Sequence, residues 1–367
     1  MNVALPGLFG HTYRARRVMV TGHTGFKGSW LTLWLQQMGA QVCGLALPAD
    51  TTPNHAGLLE LRLYEALVDL RDATAVRQAV QRFEPEIVFH LGAQALVRRS
   101  YQDPSATFDT NVMGLVNLLE AVRATPSVRA VVNATTDKCY DNRHTAVGYR
   151  ETDALGGHDP YSASKACAEI VSASYRASFL ANPSQGNPVG LATARAGNVI
   201  GGGDWASDRL IPDLVRATIA GRSTVIRHPH ATRPWQHVLE PLSGYLMLGE
   251  RLLNDPHGVA QAWNFGPQTQ GHLSVRAVIE AFAEHWPAVR HTQDTASQPH
   301  EAALLHLDCG KAEQELGWRP VWQASTMIEH TARWYRAHHE HATLLSHDDL
   351  RDYVHAARLA HLSWAGA

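Results

Sequence analysis

A short β-rich run, Arg17-Val18-Met19-Val20-Thr21, ends at the loop Gly22-His23-Thr24-Gly25-Phe26-Lys27-Gly28 and gives way to a helix bearing Trp30, Leu31, Leu33, Trp34 and Leu35. Few folds use a glycine loop in that place. Gly22 permits a tight turn, Gly25 lets backbone approach a pyrophosphate, and Gly28 lets the helix pack closely on the strand. The helix start offers amide N–H groups and the positive end of its dipole to phosphate. A strand–loop–helix unit near the chain start therefore predicts a dinucleotide site at Gly22, His23, Gly25, Phe26, Lys27 and Gly28.

The alternation continues downstream. Segments 41–47, 66–69, 87–90, 130–134 and 189–196 read as strands, and 72–83, 104–123 and 161–179 have helical apolar spacing. Such alternation gives βαβ units, so the expected class is α/β, a Rossmann-type doubly wound parallel sheet. Ligands of these sheets bind at the carboxyl ends of the strands. From about Ile200 the pattern dissolves into Gly201-Gly202-Gly203, proline-rich turns and shorter elements. A smaller, discontinuous substrate-binding lobe is expected there. The expected division is 14–199 with 234–266 for the dinucleotide-binding domain, 200–233 with 267–340 for the smaller lobe, and 341–367 for a C-terminal tail.

Composition narrows the partners. The chain has 367 residues, more than one compact core requires, and a formal net charge of −2. No basic field exists for nucleic acid or anionic lipid, and neither is an expected partner. Residues 1–17 lack the apolar core of a signal peptide, and no apolar stretch is long enough for a bilayer. Cys43, Cys139, Cys167 and Cys309 form no CxxC pair, which suits a reduced, cytoplasmic chain. His338, His339, His341, His347 and His355 lack a defined zinc spacing, so no metal is expected.

The cofactor contacts can be followed from strand to strand. An NAD site usually carries an acidic residue about 20 residues beyond the glycines for the ribose hydroxyls. Here that region reads Gly44-Leu45-Ala46-Leu47-Pro48, with Asp50 a little beyond, so these residues leave NAD and NADP both open. Asp69 and Leu70, after the third strand, are placed to meet adenine. Leu91, Ala93 and Gln94, after the fourth, line the path of the cofactor.

Two groups of residues carry candidate chemistry. Tyr161 and Lys165 stand four apart at a helix start and share one face. An ammonium beside a phenol stabilises the phenolate, which can take a hydroxyl proton while hydride leaves the same carbon. Thr136-Asp137-Lys138 follows the fifth strand and faces the same crevice. A simple alcohol dehydrogenase needs one hydroxyl beside its Tyr and Lys, so the surplus carboxyl and amine suggest a second proton-transfer task such as elimination. Only four of the 32 basic residues are lysines, Lys27, Lys138, Lys165 and Lys311. Retained lysines suit positions that need a compact charge or an amine able to lose its proton.

With its glycine loop, Tyr161/Lys165 pair and strand order, the chain resembles the extended short-chain dehydrogenase/reductases. Finer segments resemble the CDP-glucose 4,6-dehydratases: the loop 22–30, Ala93-Gln94-Ala95-Leu96-Val97-Arg98, Thr136-Asp137-Lys138-Cys139-Tyr140, the run 195–205 from Arg195 to Trp205, and Arg233-Pro234-Trp235-Gln236-His237-Val238. The related dTDP-glucose enzymes carry Thr-Asp-Glu where this chain has Thr-Asp-Lys. The resemblance implies NAD as cofactor and CDP-glucose as substrate. It further implies that Thr136 orients the C4 hydroxyl and Tyr161 removes its proton as hydride passes from C4 to NAD. Lys138 then takes the C5 proton, Asp137 protonates the departing C6 hydroxyl, and hydride returns to C6. Gln94, Asn198, Arg209, Arg233 and His300, the last beside Glu301, become substrate-binding residues, with Arg233 a diphosphate clamp. Helices 104–123 and 161–179 become the interface of a homodimer. Two rival readings are an epimerase or reductase of the same fold and a nucleotide-binding protein without turnover. An epimerase would not need Asp137 and Lys138, and a binding protein would need neither Tyr161, Lys165 nor Thr136.

Overall fold

Val18 and Val20 pack on one face of the first strand and Met19 on the other, and all three are fully buried, as in a sheet covered on both sides. The computed structural model describes residues 5–143, 145, 147–180, 188–226, 229–267, 271–293 and 305–366. Its main sheet contains β1 (Arg17–Thr21), β2 (Gln41–Ala46), β3 (Tyr64–Leu67), β4 (Ile87–His90), β5 (Ala130–Ala134), β6 (Gly190–Ala196) and β7 (Ala262–Phe265). Their order is β7-β6-β5-β4-β1-β2-β3, and every neighbouring pair is parallel. The chain thus starts in the middle of the sheet, winds outward to β3, returns beside β1, and winds outward again to β7. This is the expected α/β class, and β3 begins and ends two residues before the segment read from sequence.

Helices α1 (Phe26–Gln37), α2 (Ala73–Phe83), α3 (Gly114–Arg123), α4 (Pro160–Tyr175) and α5 (Leu239–Asn254) cover the two faces. Val76 and Val80 of α2 and Leu115, Leu118 and Leu119 of α3 pack with Met19, Val88 and Val131. Trp30 and Trp34 of α1 and the apolar side of α5 pack with Val18, Val20, Phe89 and Val132 on the opposite face. Local chemistry sets the helix starts. Asp72 accepts hydrogen bonds from the amides of Thr74 and Ala75, and Asp159 accepts one from Ser162 with Pro160 in the first turn.

The segment expected as one helix over 104–123 is divided. A helical turn, Pro104–Phe108, runs into a π-helical turn, Asp109–Met113, before α3 begins. The wide turn brings Asn111 against the loop after β4, where its side chain accepts from the amide of Gln94 and donates to the Gln94 carbonyl and to Ser164.

A second core gathers Ile200, Trp205, Leu214, Trp235, Phe282 and Trp334. It is built from α6 (Val275–His285), α7 (Ala324–His341), helix Leu210–Ile219 and short strand pairs such as Thr232–Pro234 with His272–Ser274. The segment expected as a C-terminal tail is folded. Its helix α8 (Ser346–Leu359) buries Leu350, Tyr353 and Val354 in the sheet-side core. Trp364 stacks on Phe9 at 5.2 Å, and Tyr353 meets Trp34 edge-on at 5.7 Å, so aromatic area rather than chain position decides where this segment lies.

Candidate active site

The glycine loop is shaped by contacts that exclude a side chain. Gly22 adopts φ +73°, and a Cβ there would lie 2.8 Å from Cα and N of Gly92 at the end of β4. A Cβ on Gly28 would run into the carbonyl oxygen of Gly22. Gly25 caps α1 without a side-chain hydrogen bond, leaving the first-turn amides for a ligand. Strand end, backbone cradle and uncapped helix start together fit a dinucleotide pyrophosphate.

Around the loop the side chains are already engaged. Thr21 Oγ1 accepts from the amides of Leu91 (3.2 Å) and Gly92 (3.0 Å) and lies 2.7 Å from His90 Nδ1. Burial, assisted by Lys165, pushes His90 down to about 3 and keeps it neutral. Leu70 packs against Gly92, while Ala93 is half-buried. The carboxylate expected near adenine, Asp69, forks onto Arg71 at 2.6–3.1 Å, which holds it below the usual carboxylate range. Gln94 donates to Leu96 O (3.1 Å) and Thr107 Oγ1 (3.0 Å) and accepts from Leu96 N (2.6 Å). Its side chain thus ties its own loop to the helical turn Pro104–Phe108.

The loop also acquires a carboxylate that the sequence reading missed. Asp50 is exposed beyond β2, whereas Glu65 of β3 stands opposite Gly44 and contacts His23 Nε2 at 2.9 Å. The His23 ring fills the space above Gly44. Only the register of β3 against β2 could have revealed this pair.

The Thr-Asp-Lys triplet lies on a single tight turn after β5. Thr136 Oγ1 accepts from the amide of Lys138 (3.3 Å) and donates to Asp137 Oδ1 (3.0 Å). Lys138 Nζ is 3.4 Å from both Asp137 Oδ1 and Asn198 Oδ1. Burial pulls the Lys138 ammonium down, but Asp137 and Tyr161 overcome it and leave the amine raised. A neutral amine is thus disfavoured while the contact lasts. Burial raises the Tyr161 phenol, against opposing influences from Lys138 and a hydrogen bond with Thr136. Of the two lysines it is Lys138 rather than Lys165 that acts on the phenol, with Arg209 adding to it. Lys165 Nζ donates to Ala134 O at 3.1 Å, and burial pushes it down to about 8.

Further groups converge on this crevice. Lys27 is pushed down to about 7, mainly by burial and then by Arg209, with Lys165 and Lys138 adding to it and Asp137 opposing. Arg209 is paired with Asp204 at 2.9 Å and also acts on Tyr161. Arg233 donates to Thr232 O and is near enough to depress Lys138. His300 and Glu301 lie outside the described residues. The structure therefore brings Lys27, Asp137, Lys138, Tyr161, Lys165, Asn198, Arg209 and Arg233 to one place.

Comparison with known proteins agrees with this geometry. The family model described as GDP-mannose 4,6 dehydratase matches residues 19–331. The CDP-glucose 4,6-dehydratase of Salmonella typhimurium is 47% identical over 94% of this chain and 98% of its own. A dTDP-glucose 4,6-dehydratase of Xanthomonas campestris is 28% identical over 86% of this chain and 92% of its own. The dTDP-glucose 4,6-dehydratase of Streptomyces venezuelae, solved as a double mutant with NAD and DAU bound, superposes with a TM-score of 0.73 at 25% identity, covering 87% of this chain and 97% of that one. With a family match across most of its length and a near-full-length relative sharing almost half its residues, the chain belongs to the GDP-mannose 4,6 dehydratase family of extended short-chain dehydrogenase/reductases.

Proposed function

We propose that this chain is an NAD-dependent CDP-glucose 4,6-dehydratase, yielding CDP-4-keto-6-deoxy-D-glucose. The observation that carries the proposal is the convergence of Thr136, Asp137 and Lys138 with Tyr161 in one crevice, with Lys138 in contact with both Asp137 and Asn198. Its similarity to the Salmonella CDP-glucose enzyme supports the CDP-sugar choice. Gly22, Gly25, Phe26, Lys27 and Gly28 would hold NAD, which would supply the hydride acceptor for C4 and the hydride donor for C6. We take 14–199 with 234–266 as the NAD lobe, joined by the packed C-terminal helix, and 200–233 with 267–340 as the sugar-nucleotide lobe.

In this reading Thr136 and Tyr161 bind the C4 hydroxyl, and Tyr161 removes its proton. The C4 ketone acidifies C5. A sugar ring entering between Asp137 and Lys138 separates them and leaves burial, the largest influence on the amine, to push Lys138 down. As the sugar parts the pair, the ammonium proton of Lys138 passes to Asp137, so that Lys138 abstracts the C5 proton as a neutral amine while Asp137 protonates the C6 hydroxyl, which departs as water. Asn198 and Arg233 hold the diphosphate. The interface of a homodimer would be formed by the helices carrying exposed Tyr101, Phe108, Met113 and Ile170. No helix among the described residues is long and apolar enough to cross a membrane. The four free cysteines suit a cytoplasmic enzyme.

The test is incubation of the NAD-loaded protein with CDP-glucose and, separately, with dTDP-, UDP- and GDP-hexoses. A 4-keto-6-deoxy product from CDP-glucose without net NADH is expected. Interconversion at C4 without a ketone would identify an epimerase, accumulating NADH would contradict the internal redox cycle, and inertness toward all of them would leave a binding protein.

A further inference from the structure

Beneath the triplet lies a buried ion pair for which the reaction, as described, has no use. Glu169 of α4 and Arg195 of β6 meet at 2.8 Å with side chains only 3% and 4% exposed. A buried pair is weak evidence of stability alone, since desolvating two charges costs about what their attraction returns. What the pair touches is more informative. Thr135 donates its hydroxyl to Glu169 Oε1 at 2.5 Å, and Thr193 donates to Oε2 at 2.7 Å. Arg195 donates to the Tyr140 hydroxyl at 2.8 Å and lies over the Tyr140 ring, and Tyr140 in turn donates to Asn264 at 2.7 Å. Thr135 and Tyr140 are the two residues that flank 136–139.

Both ends of the triplet's turn are therefore tied to one ion pair. Glu169 also stands one helical turn beyond Lys165, and Lys165 holds the carbonyl of Ala134, immediately before Thr135. The helix bearing Tyr161 and Lys165 thus grips the Asp137–Lys138 turn at successive residues, 134 and 135, while Arg195 grips its far end at 140. Such a clamp fixes the distance between the group that takes the C4 proton and the groups that work at C5 and C6.

We propose that Glu169 and Arg195 are positioning residues that hold the elimination groups, Asp137 and Lys138, in register with the oxidation groups, Tyr161 and Lys165, through the Thr135 and Tyr140 hydroxyls. The proposal rests on the dehydratase reading. Its mechanical part, the tethering of 135–140 to the ion pair, does not depend on which substrate enters. Loosening the tether lets hydride leave C4 while proton transfer at C5 and C6 lags, so ketone escapes before elimination and reduced cofactor stays on the protein.

The test uses Thr135→Val and Tyr140→Phe, which cut one tether each and leave the ion pair intact, with Thr135→Ser returning the hydroxyl. Hydrogen–deuterium exchange on the full chain should show amides 135–140 losing protection in the Val and Phe variants, with the rest of the sheet unchanged and the Ser variant restored. With CDP-glucose, kcat should fall roughly 10- to 100-fold at little-changed KM, the effect of a small misplacement of reacting groups. The fraction of protein left holding NADH after one turnover should rise with it. Unchanged exchange at 135–140 would overturn the proposal. So would a loss of activity that merely follows the loss of folded protein, with NADH partition as in the parent. A parent protein that makes no ketone would instead sink the dehydratase reading, and exchange would still decide the tether.

Discussion

Lys138 stands between opposing influences, and its chemistry depends on which one the substrate removes. Burial favours the neutral amine and Asp137 favours the ammonium, so Lys138 keeps its proton until a sugar separates the two. Lys138→Met should retain NAD binding and the first hydride transfer while solvent exchange at C5 falls by about 100-fold or more, measured by deuterium incorporation into recovered sugar. Unimpaired exchange would remove Lys138 from the mechanism. Lys27 carries a separate prediction. Its folded value of about 7 lies below the ordinary lysine value, so between the two the unfolded chain binds more protons and this group's contribution to stability grows as pH rises. A bound pyrophosphate favours the ammonium, so NAD affinity should weaken as pH rises through about 7, by up to roughly tenfold per unit, with proton uptake on binding. Isothermal titration in buffers of different ionisation heat would show the uptake, and Lys27→Met should abolish both it and the slope. The residue types of this site were legible because glycines, Tyr161/Lys165 and Thr136-Asp137-Lys138 each require particular chemistry at fixed spacing. Lys165 spending its ammonium on Ala134, and Glu65 reaching His23 from β3, depend on register and rotamer, which residue order does not carry.

At the scale of elements, the loop between β1 and α1 is the least tolerant piece of backbone. In Gly28→Ala the new methyl meets the Gly22 carbonyl, a fixed backbone atom, so α1 must move away from the strand that aims it. NAD binding should fall below detection by fluorescence titration, with a lower thermal midpoint; near-normal binding would show that α1 can shift without opening the cradle. The strands flanking this loop were readable because β1, β4 and β5 are buried on both faces and appear as uninterrupted apolar runs. β7 is four residues long, Ala-Trp-Asn-Phe, and joins the sheet beside β6 only after the chain has passed through the second lobe, so periodicity gave no sign of its place. The π-helical turn at Asp109–Met113 was equally invisible, because Asn111 earns its position from Gln94 and Ser164, partners distant in sequence.

At the scale of the whole molecule, the C-terminal segment packs into the core of the main sheet, while several large apolar side chains remain exposed elsewhere. Trp364 is fully enclosed by Phe9, Trp34 and Tyr353, so Trp364→Ala should cost about 3–5 kcal/mol in chemical denaturation, an effect a loose tail would not show. A different surface is the one proposed for the homodimer. Tyr101, Phe108 and Met113 are exposed on the helical turns 97–113 that pack against the active-site helix α4, and Ile170 is exposed on α4 itself. Large side chains clustered on neighbouring helices mark an association surface, and a two-fold contact presents each of them twice. A carboxylate placed there would be desolvated against its symmetry mate, which association cannot offset. Met113→Asp combined with Ile170→Asp should therefore halve the mass seen by sedimentation equilibrium. Both substituted side chains project from exposed positions, so the variant should keep the parent's circular dichroism and its capacity for NAD. An unchanged mass would place the interface elsewhere on the chain, and a parent already monomeric at micromolar concentration would dispose of the homodimer.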